Sequence, residues 1–250
     1  LKMFYNKHKA PKHYTWKQAI GKLSLHTKLV WVISVILIVS GFMVIFTFEY
    51  GNPATLGALS FREKIYAALF QSVSPRTAGF NTVSLADLTD TSKLFTMILM
   101  IIGGSPAGTA GGIKTVTVGV LVLCAYNTIK GNDEIVVFKR KIPFDIVSRS
   151  LTIIMISVMV IFGVVGILSM TEDFSFMEIL FETISAFATV GTTLGITSEL
   201  SLVGRITIII VMFIGRLGPV TMAVALMVRK RDKDKQKVNI QYPEEKIMVG

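Results

Sequence analysis

The sequence predicts an all-α integral membrane protein built of two parallel repeats, each a span, a re-entrant half-helix with its loop, and a second span. Three observations predict it. Apolar residues fill 52% of the 250 positions against 17% charged, with a mean hydropathy of +0.62, far from the balance of a soluble domain. Basic residues crowd beside the apolar runs, as the positive-inside rule requires of cytoplasmic segments. They are Lys2, Lys7, Lys9, Lys12, Lys17, Lys22 and Lys28 before the first run, Lys130, Lys139, Arg140 and Lys141 in the middle, and Arg229 to Lys237 after the last. A short pattern also recurs: "FQSVS" (Phe70 to Ser74) and "FETIS" (Phe181 to Ser185) are each followed by Thr-x-Gly, with Gly79 and Gly191 lying 112 positions apart.

Residues 1–28 form a basic cytoplasmic segment. Leu29 to Phe48 then runs without a charge before Glu49, enough to cross a hydrocarbon core of about 30 Å and too long for a signal-peptide core. The chain opens on Leu1 with no initiator Met, so the expectation is the back part of a longer protein. After the turn-rich "EYGNPATLG", the stretch "FREKIYAALFQSVSPRTAGFNT" holds a helical pattern too short to cross, followed by Pro, Gly and hydroxyls. That is how a re-entrant pore half-helix with an extended return reads. Lys93 to Ile129 is apolar again, and its 37 residues would make a straight helix of about 55 Å. The expected solution is a helix near Leu94 to Ile102, a non-helical stretch over Gly103 to Gly112 ("GGSPAGTAGG"), and a second helix near Ile113 to Ile129. Residues 29–129 thus make the first repeat and 130–143 a cytoplasmic loop. Residues 144–228 make the second repeat: Phe144 to Met170, the re-entrant "DFSFMEILFETISAFATVGTTLG", and Leu202 to Val228. Residues 229–250 are a cytoplasmic tail. Both repeats begin and end beside basic segments, which makes them parallel rather than inverted.

A loop at membrane depth leaves backbone carbonyls without partners, tolerable only where they line water or an ion path. Carbonyls are hard oxygen ligands able to replace the hydration shell of an alkali cation, and glycine permits the backbone angles that aim them inward. The candidate selectivity-filter residues are Thr77, Ala78, Gly79 and Phe80 with Thr189, Val190, Gly191 and Thr192, with K⁺ held by the backbone carbonyls of Thr77, Ala78, Gly79, Thr189, Val190 and Gly191. Glu49, Asp87, Asp90, Glu172, Asp173 and Glu199 are expected to solvate loop tips rather than concentrate cations.

The motifs "SVSPRTAGFNT" and "GGSPAGTAGGIKT", with the terminal "YPEEKIMVG", together resemble the TrkH/KtrB superfamily of cation transporters over essentially the whole chain. The resemblance implies potassium uptake across the plasma membrane, with four repeats around one pathway, of which this chain matches the third and fourth. It also implies that the broken helix is an intramembrane gate. The gate residues are Gly103, Gly104, Ser105, Pro106, Ala107, Gly108, Thr109, Ala110, Gly111 and Gly112, assisted by Arg216 beside the pore and by Lys114, which serves the gate or snorkels to the cytoplasmic side. By the same resemblance the partners are a second copy in a homodimer and a cytoplasmic ring of nucleotide-binding KtrA-type subunits. Membrane lipid is the further partner, the basic segments meeting either the ring or anionic headgroups. No covalent cofactor is implied, with K⁺ the transported ion and Na⁺ a candidate activator.

Other chemistries lack their residues. "GTAGGIKT" differs from a phosphate-binding loop because Ile113 separates Gly112 from Lys114. His8, His13 and His26 have no neighbouring ligands at metal spacing, Cys124 reads as a small buried side chain, and no acid pair faces a pocket, so no enzyme is expected. The net charge of +10 belongs to membrane orientation, without the aromatic interleaving of a nucleic-acid surface. A secondary transporter with broken helices around a midplane solute site is the alternative, and predicts inverted repeats. A membrane-embedded scaffold predicts no flux.

Overall fold

A computed structural model of the chain describes residues 23–105, 108, 110–131, 135–138 and 140–218. The basic residues before Gly21, His8, His13, the tail and the last part of the final span therefore lie outside the described residues, as do Pro106, Ala107 and Thr109. Seven α-helices occupy the described chain: α1 (Leu25–Glu49), α2 (Phe61–Val73), α3 (Asp90–Ile101), α4 (Thr115–Ile129), α5 (Phe144–Thr171), α6 (Phe176–Ala188) and α7 (Leu202–Leu217).

Length divides these helices into two kinds. The 25 residues of α1 and 28 of α5 reach about 37 and 42 Å, more than a hydrocarbon core. With 13 residues each, α2 and α6 reach about 20 Å and cannot cross. The two long helices have a mean hydropathy of 2.8, yet only 22% and 28% of their most apolar windows are buried in the protein. Trp31, Ile36 and Met43 on α1, Met159 and Phe162 on α5, and Ile209 and Phe213 on α7 all point outward. A soluble protein buries such side chains; a bilayer solvates them.

The packing joins both halves into one core. α1 lies against α2, α3 and α4; α5 against α4, α6 and α7; and α6 also touches α3. Ile45, Met97 and Met100 from the first half share a cluster with Ile161, Phe181, Phe187 and Val211 from the second. Val120, Ile142 and Val147 form a smaller cluster, against which the half-buried Cys124 packs.

The short helices start in the same way. Each has a Ser N-cap whose own N–H is reached by the glutamate three residues on: Ser60 by Glu63 at 2.8 Å and Ser175 by Glu178 at 2.9 Å. In both halves a glutamate at the end of the long helix grips the N-cap of the helix that follows the short helix and its turn, α3 in the first half and α7 in the second. Glu49 Oε1 accepts from Thr89 N at 2.9 Å and Thr89 Oγ1 at 2.7 Å; Glu172 accepts from Ser201 N at 2.9 Å and Ser201 Oγ at 2.5 Å. Glu49 is not the solvated loop-tip charge expected of it. It is 0% exposed, because Thr55 Oγ1 and Asn52 Nδ2 also donate to it, at 2.7 and 2.8 Å, and fold the loop after α1 over it.

Two further departures are local. The loop at 130–143 is not wholly irregular: Val136–Val137 (β1) and Arg140–Lys141 (β2) pair antiparallel, where β-branched residues flank a turn through Phe138 at φ 49°. The helix expected from Ile113 starts at Thr115, since Ile113 is occupied in a bridge to Ile102.

Candidate functional site

The two Thr-x-Gly turns leave the C-terminal ends of α2 and α6 and meet. Gly79, at φ +71°, lies so close to the second turn that a β-carbon on it would stand 2.0 Å from the Val190 carbonyl oxygen. Only glycine allows that approach, and no side chain fits between the turns.

Each turn is tied back to the serine that ends its quoted motif. Ser74 O accepts from Ala78 N at 2.9 Å and Gly79 N at 3.1 Å, and Ser74 Oγ donates to Phe80 O. Ser185 O accepts from Val190 N at 3.0 Å, while Ser185 Oγ lies 3.4 Å from Thr192 Oγ1. Neither serine was singled out by the sequence as a site residue, although both stand in the recurring five letters. The N–H groups of Thr77, Ala78 and Gly79 are thus spent on Ser74 O, and those of Thr189 and Val190 on Ala186 O and Ser185 O. No hydrogen bond from a described residue reaches the carbonyl oxygens of Thr77, Ala78, Gly79, Thr189, Val190 or Gly191. Thr77, Ala78, Phe80 and Gly191 are exposed, Gly79 and Thr189 half-buried, and Val190 and Thr192 buried.

Behind the second turn, Glu182 of α6 is 5% exposed. Its Oε1 accepts from Thr197 Oγ1 at 2.5 Å, bracing the 3₁₀ turn Ile196–Ser198 that follows the motif. Its Oε2 is buried with no partner among the described residues, as is Oε1 of Gln71, which holds the matching place in "FQSVS".

The glycine-rich stretch lies against both turns. Its base is pinched shut, with Gly103 N donating to Ile113 O at 3.0 Å and Thr115 N to Gly104 O at 3.2 Å. At Gly104 a β-carbon would lie 3.5 Å from Thr77 Cγ2, and at Gly111 one would lie 2.3 Å from Thr189 Oγ1. Ser105 and Gly112 are half-buried and buried, Gly108 is exposed, and Lys114 Nζ turns back to donate to Ala110 O. Arg76, just before the first turn, points its Nη2 at Gly103 O across a long 3.4 Å. Arg216 on α7 lines an open hollow with Thr189, Ile209, Met212 and Phe213, and acts electrostatically on Lys114. Three cations, Arg76, Lys114 and Arg216, therefore lie about the stretch.

At the C-terminal end of α5, the Ser201 hydroxyl and N–H hold the Glu172 carboxyl below the ordinary carboxylate range against a small opposing effect of burial.

The family described as TrkH, cation transport protein, matches residues 25–237. Ktr system potassium uptake protein B of Bacillus subtilis (strain 168) is 39% identical over 227 residues, 91% of this chain and 50% of that protein. The protein of the same name from Vibrio alginolyticus is 38% identical over 94% of this chain and 50% of its own length. The potassium/sodium uptake protein NtpJ of Enterococcus hirae is 36% identical over 92% of this chain and 51% of its own. The chain spans about half the length of these curated relatives. The crystal structure of the potassium transporter TrkH from Vibrio parahaemolyticus superposes with a TM-score of 0.67 at 20% identity, covering 80% of this chain and 45% of that one, which shows a shared fold. The mostly helical architecture is that of a membrane transporter, and the chain belongs to the TrkH family of cation transport proteins.

Proposed function

We propose that this chain forms half of a potassium uptake pathway across the plasma membrane, its filter built from the backbone carbonyls of Thr77, Ala78, Gly79, Thr189, Val190 and Gly191. The observation that carries this reading is the meeting of the two turns, glycine against carbonyl, with no hydrogen bond from a described residue to their carbonyl oxygens. Oxygens left over in that way are ligands for a cation that has shed its water. The relatives named for potassium uptake and for potassium/sodium uptake support the choice of ion.

The two halves are parallel repeats of span, re-entrant half-helix and span, with both basic flanks cytoplasmic. The stretch 103–112, with Lys114 and Arg216 beside it, is the gate beneath the filter. Two repeats enclose half a ring, so the other half comes from the remaining length that the relatives possess. A homodimer on a nucleotide-binding KtrA-type ring, surrounded by lipid, completes the reading, with Na⁺ as an activator.

The test is rubidium uptake, with sodium competition, by the full-length protein in a potassium-uptake-deficient strain. Gly79→Ser and Gly191→Ser are expected to lower K⁺ over Na⁺ discrimination by about tenfold or more, as misdirected ligands lose one or two kcal/mol of preference. Unaltered discrimination at matched expression refutes the filter.

A further inference from the structure

Thr189 has a backbone its residue type resists. It ends α6 at φ 54°, ψ 39°, in the left-handed region where a β-branched side chain is an outlier and where helices ordinarily place glycine or asparagine. The Thr-x-Gly motif does not demand this, since Thr77 in the first turn is extended, at φ 179°. What Thr189 gains is a contact. Its hydroxyl oxygen accepts a 3.1 Å hydrogen bond from the backbone N–H of Gly111, 78 residues away in the glycine-rich stretch.

The donor side is shaped for the same contact. A β-carbon at Gly111 would stand 2.3 Å from Thr189 Oγ1 and 2.7 Å from Ala188 O, so any larger residue keeps the backbone out of reach. Apart from the long Arg76 Nη2 to Gly103 O approach at 3.4 Å, the other ties of the stretch are its own: the pinched base, Gly108 N to Ser105 O at 3.2 Å, and Lys114 Nζ to Ala110 O. Between 104 and 112, the Gly111–Thr189 bond is the one hydrogen bond among the described residues that reaches a distant element. Beside it lies the open hollow that Thr189 shares with Arg216.

We propose that Thr189 is a positioning residue for the gate: its hydroxyl docks the glycine-rich stretch at Gly111, so that undocking the stretch and relaxing the start of the second turn are one event. A direct link from gate to filter follows, by which release of the stretch frees a filter residue from a conformation it otherwise disfavours. This rests on the filter and gate reading above.

The experiment places a reporter cysteine at the exposed Gly108 of the full-length protein, in a background without other cysteines, and measures its rate of thiol modification in membranes alongside basal rubidium uptake. Thr189→Val removes the acceptor and keeps the shape; Thr189→Ser keeps the acceptor; Gly111→Ala displaces the donor. Thr189→Val and Gly111→Ala are each expected to raise modification at position 108 roughly fivefold, the worth of one net hydrogen bond, and to raise basal uptake. Thr189→Ser stays at the wild-type rate, and the double variant Thr189→Val/Gly111→Ala gains nothing over the larger single effect. Equal rates for Thr189→Val and wild type, equal rates for the Val and Ser variants, or additive effects overturn the proposal. If Thr189→Val does not reach the membrane, Gly111→Ala decides alone, a wild-type rate overturning it. Thiol modification needs no ion flux, so the docking can fail or hold independently of the filter, which the glycine variants test.

Discussion

Removing the side chain of Glu49 is expected to destabilise the protein far more than removing that of Glu172, although both grip the N-cap of a following helix. Four donors converge on the Glu49 carboxylate, and three of them have another acceptor at hand. Thr89 Oγ1 also reaches Ser92 Oγ at 3.0 Å, Asn52 Nδ2 reaches the Asp87 carbonyl at 2.9 Å, and Thr55 Oγ1 lies 3.5 Å from Asn52 O. Thr89 N has Glu49 alone among the described residues, at 2.9 Å. In Glu49→Ala that N–H is orphaned inside a site with no exposure, costing about 1–3 kcal/mol, and the lost charge-assisted bonds bring the total to roughly 3–5 kcal/mol. Glu172 is solvated, so water replaces it and Glu172→Ala loses about 1 kcal/mol, as ordinary caps do. The assay is thermal unfolding of the detergent-solubilised full-length protein, where roughly 1–2 °C accompanies each kcal/mol in a chain about twice this size. A drop of about 3 °C or more for Glu49→Ala beside one near 1–2 °C for Glu172→Ala is expected. Equal drops would refute the reasoning, since burial is the difference invoked.

Two smaller predictions follow from the same geometry. The Glu172 carboxyl sits below its ordinary value of 4.5 through its bonds from Ser201, so its contribution to stability is fully present above that value and is lost as pH falls through the lowered one. Glu172→Gln should flatten the acid limb of melting temperature against pH, and an unchanged limb would remove Glu172 from the account. Glu182→Gln keeps the acceptor for Thr197 and repeats the residue found at Gln71, so near-wild-type melting is expected. Glu182→Ala orphans the Thr197 hydroxyl and opens a cavity, for a loss of about 2–4 kcal/mol; equal melting of the two variants contradicts the brace.

Much of this architecture is legible in the letters. An uncharged run announces α1, and the arithmetic of 37 residues forces the break that the structure puts between Ile101 and Thr115. The recurring "FQSVS" and "FETIS" mark the helices that carry the turns, and their final serines do the tying. Less visible were "SFRE" at Ser60 to Glu63 and "SFME" at Ser175 to Glu178, paired N-terminal signatures that become capping boxes. Glu49 misled because charge at the end of an apolar run ordinarily means solvent, and only the fold of "EYGNPATLG" back over it makes it interior. The left-handed Thr189 could not be read at all: the partner of its hydroxyl is a glycine 78 residues earlier, and local pattern carries no trace of so distant a contact.

The grips of Glu49 on Thr89 and Glu172 on Ser201 each close within a single half of the chain, over 40 and 29 residues. During synthesis the first can therefore be complete while the second half is still on the ribosome. The contact of Gly79 with Val190 needs both halves. In order of synthesis the Glu49 grip precedes that contact, whereas Val190 leaves the ribosome before Ser201 is there to close the second grip.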